Sequence, residues 1–206
     1  MVSLSDIKLP SKVFLPNEGY IVGKLSQDLY NNLLNEGLEC EKRNKSRITG
    51  VISGAGDQTC PHYDVSEKNS TLLENFLGSY INIYEQSFNY LAGIKVLDRD
   101  TSLVFETPWY NIQKPNEYLP AHRHGGVLSY TIWLKLPPKS VFAFIYSRVG
   151  GSTASERLEL TPSDNGKFIL FPSGLFHEVN PYRSKKWNEK RIGISGNIGF
   201  KCSGIN

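Results

Sequence analysis

The sequence predicts a mainly β chain, a small barrel with supporting N-terminal helices and a metal centre in its mouth. Three observations lead there. PAHRHGGVLSYTIWLKLPP, residues 120 to 138, places His122 and His124 two positions apart just before the apolar-rich run Val127 to Leu136. Alternate side chains of a strand point the same way, so both imidazoles can reach one ion if the segment is extended. His177 follows a second apolar run, in KFILFPSGLFHEVNP, closed by a Pro-x-Gly turn that aims it back from another strand. Imidazole is a good ligand for zinc, iron, copper or nickel. Finally, 18 glycines and 11 prolines among 206 residues give the turn-rich usage of β structure.

The remaining composition sets limits. A chain of this length buries one substantial core, and a single domain is expected over 1–206, with a support region at 1–95 and the β core at 96–206. A formal charge of +3 is too small to imply nucleic acid. The cysteines, at 40, 60 and 202, have no metal-ligand spacing and leave an odd count, which suits a reducing compartment. MVSLSDIKLPSKV lacks the basic start and apolar run of a signal peptide, and no window holds 18 uninterrupted apolar residues. A cytoplasmic protein is expected.

In chain order, IKLPSKVFLP (7–16) reads as an extended segment broken by prolines. SQDLYNNLLNEG predicts a helix capped by Ser26 and ended by Gly37. CEKRNKSR is a polar connection, and RITGVISGAG (47–56) is a fraying strand without a nucleotide-loop pattern. His62-Tyr-Asp64 has histidine-acid spacing, but turn formers surround it and no long strand follows, so a surface loop near the rim is expected, where it could contact substrate. STLLENFLGSYINIYEQSFNYLA (70–92) is the strongest helix; Leu73, Phe76, Leu77, Tyr80, Ile81, Tyr84 and Phe88 form a stripe for the outer face of a sheet, and Gly93 ends it. Strands then surround a turn at 98–101, with Trp109 as a core anchor. Past His124, Ser129, Thr131 and Trp133 share one strand face, and Tyr130, Ile132 and Leu134 the other. VFAFIY is a buried strand and SRVGGSTASE (147–156) a loop to roof the site. Gly166 permits a positive-φ turn. Glu178 should point away from His177, and NPYRSKKWNEKR is a basic hairpin at the rim. RIGISGNIGF closes the series with Arg191, Gly193, Ser195 and Asn197 on one face.

Five segments occur in an order that resembles a known superfamily: Trp109-Tyr-Asn111, His122-Arg-His124, Ser129 to Trp133, Phe171-Pro-Ser-Gly-Leu-Phe-His177, and Arg191-Ile-Gly-Ile-Ser-Gly-Asn197. Over roughly residues 100–200 the chain resembles the ferrous iron and 2-oxoglutarate dependent dioxygenases, in particular short phage-encoded and bacterial oxygenases related to prolyl hydroxylases. The resemblance implies a double-stranded β-helix, a cupin-like jelly roll. It implies Fe(2+) held by the catalytic residues His122, His124 and His177. It also implies 2-oxoglutarate chelating that iron, with its distal carboxylate on Arg191 and with Ser195 and Tyr130 as neighbouring hydrogen-bonding groups. With O2, such an enzyme hydroxylates a peptide side chain or a small molecule. The departure is at position 124, where the family pattern His-x-Asp/Glu becomes His-x-His.

Two other readings use the same residues. Gly166, Pro172, Gly174, His177 and Asn180 resemble the second cupin motif, which implies a three-histidine metalloenzyme without 2-oxoglutarate; GGVLSYTIW lacks the glutamate of the first cupin motif. A non-enzymatic barrel, binding a ligand or assembling a virion, is the third. Exposed barrel edges leave room for a homodimer.

Overall fold

The computed structural model describes residues 19–43, 62–91, 102–148 and 150–201. The expected segments at 7–16 and 47–56, the turn at 98–101, Gly93, Cys60 and Cys202 lie outside them. The architecture is mainly β, with two antiparallel sheets and N-terminal helices, consistent with a double-stranded β-helix core.

Strand β1 (Ile21–Lys24) leads into helix α1 (Gln27–Glu39). Ser26 is the N-cap, its hydroxyl accepting from the Leu29 amide at 3.4 Å. Gly37 does not end this helix. It lies within it, and a Cβ there would come 3.0 Å from the Tyr110 ring and 3.1 Å from Ile192, so glycine lets the helix settle closely on the sheet. One residue earlier, buried Glu36 ties α1 to the next helix by accepting from the Ser66 amide and hydroxyl, both at 2.9 Å, and from the Asn69 side chain. Cys40 is also buried, so the segment after α1 is not wholly solvated.

Strand β2 (His62–Asp64) precedes helix α2 (Glu67–Phe88), capped by Ser66. Asn89, at φ 50°, ends α2 in the left-handed conformation, four residues before the predicted end at 93. The predicted stripe faces inward: Leu73, Leu77, Ile81 and Tyr84 are buried, and Phe76, Tyr80 and Phe88 pack against them.

The other strands are β3 (Leu103–Phe105), β4 (Trp109–Gln113), β5 (Leu119–His122), β6 (Leu128–Lys135), β7 (Ser140–Ser147), β8 (Thr153–Leu160), β9 (Lys167–Pro172), β10 (Phe176–Val179) and β11 (Arg191–Phe200). The larger sheet runs β1-β9-β6-β11-β4-β2, with β3 also on β11, and the smaller runs β5-β10-β7-β8. Strand alternation divides the side chains of the larger sheet. Tyr110, Tyr130, Ile132, Leu134, Phe168, Leu170, Ile192 and Ile194 join the helices in the main core. From the opposite face Trp133, Ile169 and Phe171 meet Phe142, Phe144 and Leu160 of the smaller sheet in a second core. The site sits beside that second core. SRVGGSTASE is not wholly a loop: Ser147 pairs with Thr153 and Tyr146 with Ala154, so Thr153 to Glu156 belong to β8, with Gly151 in the hairpin tip at φ 81°.

Candidate metal centre

His122, at the end of β5, and His177, on β10, are direct register partners across the smaller sheet. His124 follows two residues after β5, its amide donating to the Ser173 carbonyl at 2.9 Å. One ligand nitrogen from each of the three lies within 4.8 Å of the others. His122 and His177 are buried, and His124 is half-buried. Phe142, stacked on His177 at 5.5 Å, and Phe171, edge-on at 5.0 Å, form the apolar wall behind them.

The backbone selects the tautomers. Nδ1 of His122 lies 2.6 Å from the Pro120 carbonyl oxygen, and Nδ1 of His177 lies 2.9 Å from that of Leu175. A carbonyl only accepts, so each Nδ1 carries the proton and each Nε2 keeps its lone pair. This is the outer-shell bond that metal-bound histidines use to fix ring orientation. The donor set suits a first-row divalent ion such as iron. Ser173 braces both arms: its hydroxyl meets that of Ser129 at 2.8 Å, and Ser129 donates to Asn197 Oδ1 at 2.9 Å. The predicted Pro-Ser-Gly corner thereby connects to β6 and β11.

Burial depresses all three imidazole pKa values. His177 falls well below its ordinary value through burial, then through His122; His122 is lowered by burial; His124 is lowered to about 4 by burial, then by His122 and His62. Neutral rings at neutral pH are the form that binds metal. The metal-free protein should therefore be acid-sensitive. The folded pKa values lie below the unfolded value near 6.5, so the unfolded chain binds more protons in that window. The histidine contribution is whole above about pH 6.5 and is lost progressively as pH falls toward 4. Urea melts of metal-free protein at about pH 7.5 and about pH 5 measure it, and His124→Gln should flatten the slope. Equal slopes in both proteins would contradict the assignment.

The cavity in front of the histidines is lined from the larger sheet by alternate residues of three strands: Trp109, Asn111 and Gln113 of β4, Thr131 and Trp133 of β6, and Arg191, Gly193 and Ser195 of β11. Arg191 is buried; its Nε donates to Gln113 Oε1 at 2.8 Å, its Nη2 to the Asn180 carbonyl at 3.0 Å, and its guanidinium lies 5.2 Å from the Tyr182 ring centre. Ser195 accepts from the Asn111 side chain at 2.9 Å.

The sequence expectations divide here. His122, His124, His177, Arg191 and Ser195 all reach the cavity, and Glu178 is outside the cluster. Tyr130 is elsewhere. It is buried on the helix-facing side of β6, 6.4 Å from the Phe105 ring, and it packs over Gly196, where a Cβ would meet its hydroxyl at 2.3 Å. Strand parity denies it the cavity, so its cosubstrate role is withdrawn. His62 is not in a surface loop: it is buried on β2, opposite Asn111, and lines the cavity with its ring 6.1 Å from Trp109. Trp109 is accordingly a cavity wall, also 5.8 Å from His124, rather than a core anchor. Gln113 was not singled out from the sequence, although it shares parity with Trp109 and Asn111.

Residues 107–197, a little under half of the chain, match the family described as "Putative 2OG-Fe(II) oxygenase". This segment is a 2OG-Fe(II) oxygenase superfamily domain. Among solved structures, a Pseudomonas putida prolyl-4-hydroxylase is similar over 87% of this chain and 91% of its own, at 14% identity and TM-score 0.56. The viral collagen prolyl hydroxylase of Paramecium bursaria Chlorella virus-1 is similar over 87% and 94%, at 14% identity and TM-score 0.53. The non-heme alpha ketoglutarate dependent carbocyclase SnoK of nogalamycin biosynthesis is similar over 89% and 80%, at 12% identity and TM-score 0.58. At such identities the likeness establishes a shared fold. No curated protein matches the sequence. Among the described residues, no helix is long and apolar enough to cross a membrane.

Proposed function

We propose that the chain is an Fe(II) and 2-oxoglutarate dependent oxygenase that hydroxylates a peptide side chain or a small molecule, on a double-stranded β-helix core at 96–206 supported by residues 1–95. The observation that carries it is one cavity lined both by three convergent histidines and, from the other sheet, by a buried arginine. When bound, ferrous iron with 2-oxoglutarate and O2 supplies the oxidising chemistry. His122, His124 and His177 would hold the metal as neutral ligands, with the Pro120 and Leu175 carbonyls fixing two of the rings. Arg191 would anchor the distal carboxylate of the cosubstrate, since a planar guanidinium matches a carboxylate fork. Ser195 would assist it, and Phe142 and Phe171, packed on His177, would screen the histidines from water. Trp109 and His62 line the space left for substrate.

The expected result is anaerobic binding of 2-oxoglutarate to the ferrous protein with a new visible absorption band, followed in air by succinate formation that stops on chelation of the metal. His124, an imidazole where the family pattern has a carboxylate, favours one alternative: a three-histidine metalloenzyme without 2-oxoglutarate. Iron binding without 2-oxoglutarate binding would select that alternative.

A further inference from the structure

Gln113 is 3% exposed and is the direct cross-strand partner of Arg191. Its Oε1 accepts from Arg191 Nε at 2.8 Å. Arginine nitrogens only donate, so this bond fixes the orientation of the amide: oxygen toward the guanidinium, NH2 on the other side. That Nε2 is buried and makes no hydrogen bond to any described residue. Gln113 and Arg191 line the same cavity. The strand is held here as well, because the Tyr182 hydroxyl donates to the Gln113 carbonyl at 3.0 Å. Buried donors are nearly always satisfied, and leaving one unmade is costly. A locked amide donor beside a guanidinium calls for an anionic acceptor from a ligand.

Resting on the function proposed above, we propose that Gln113 Nε2 is a second donor to the distal carboxylate of the cosubstrate, which is held by a carboxamide and a guanidinium together. The site then selects 2-oxo dicarboxylates by two groups of different charge. Gln113 touches ligand in this arrangement and does more than position Arg191. Glutamate at 113 separates the two roles. It keeps the size and the acceptor for Arg191 Nε, but it turns the ligand-facing donor into an acceptor and adds a negative charge. A 2-oxo monocarboxylate such as pyruvate, with no distal carboxylate, should be indifferent to the change.

Titration calorimetry on the whole chain loaded with Mn(II), a redox-silent stand-in for iron, tests it with 2-oxoglutarate and with pyruvate. Gln113→Glu should raise the 2-oxoglutarate dissociation constant by about 100-fold or more, through lost donation and like-charge repulsion. Gln113→Met should raise it by about 10-fold or more, through loss of the Nε2 donor together with the Oε1 acceptor of Arg191 Nε. Mn(II) stoichiometry and pyruvate affinity should stay at the wild-type level in both. If Gln113→Glu binds 2-oxoglutarate within about twofold of wild type while Arg191→Ala loses it, the inference fails and the oxygenase proposal stands. Equal weakening of both ligands would also overturn it, because that marks a disturbed site. Should Gln113→Glu not fold, unchanged 2-oxoglutarate affinity in Gln113→Met refutes it. A wild-type protein that binds Mn(II) but not 2-oxoglutarate refutes the oxygenase proposal itself, and this inference with it.

Discussion

His177→Ala is expected to lower ferrous affinity by more than about 100-fold, because losing an outer-shell partner alone costs about 10–100-fold and this change removes a ligand outright. His122→Ala should do the same. These rings also fill space: His177 packs on Phe142 and Phe171, so alanine leaves a cavity and lowers Tm as well. His177→Gln preserves most of that volume and separates lost packing from lost ligation. Metal analysis after equilibrium dialysis is the measurement, with thermal melts alongside. Full stoichiometric binding in the alanine variants of all three histidines would rule out the triad. His124→Asp is the instructive variant in the other direction. It restores the carboxylate of the family pattern and makes the donor set one negative charge richer, so tighter divalent binding and faster succinate formation are expected.

Arg191→Ala should weaken 2-oxoglutarate binding by roughly 30- to 5,000-fold, the equivalent of about 2–5 kcal/mol for breaking a desolvated charge pair, much of it the penalty of an unpaired carboxylate. Metal content should not change, since the arginine is on β11 while His122 and His177 are on the smaller sheet and His124 just beyond its strand β5. Arg191→Lys should recover only part of the loss. An ammonium supplies charge but not the fork, and it cannot at once donate in the Nε direction to Gln113 and in the Nη2 direction to Asn180. Anaerobic titration of the ferrous protein, followed by the visible band, reads this directly. An Arg191→Ala protein with wild-type affinity would remove the arginine from the cosubstrate site and bring the three-histidine alternative forward.

Much of the metal centre is legible in the sequence because it is built from local rules. Two-residue spacing keeps His122 and His124 together although His124 lies just past the end of β5, and the Pro-x-Gly corner turns His177 toward them. Arg191, Gly193 and Ser195 share a face through strand alternation. The period of α2 likewise gave its buried stripe from Leu73 to Tyr84. Local punctuation was less dependable. Gly37 was read as a helix stop, and it instead relieves a crowded contact with Tyr110 and Ile192, residues more than 70 positions away. Tyr130 does not reach the site, because strand parity separates it from Thr131 and Trp133 and sets it among the core residues on the helix-facing side of the sheet.

By itself, then, the sequence indicates the apolar strands β6, β7, β9 and β11, the two main helices, and the histidines and arginine that meet at the cavity, since each follows from periodicity and turn chemistry within a short window, whereas β1 and β2 and the start of β8 do not. Tertiary structure alone decided what shares the cavity with them. His62 was surrounded by turn-forming letters, and only its pairing with Asn111 on β4 carries it from a supposed rim loop to the cavity wall. Gln113 gave no motif, and its amide acquires direction only when β11 lays Arg191 across from it and consumes its oxygen. Strand order and register are set by packing between segments distant in sequence, and a single chain read by period and turn holds no record of which strands become neighbours.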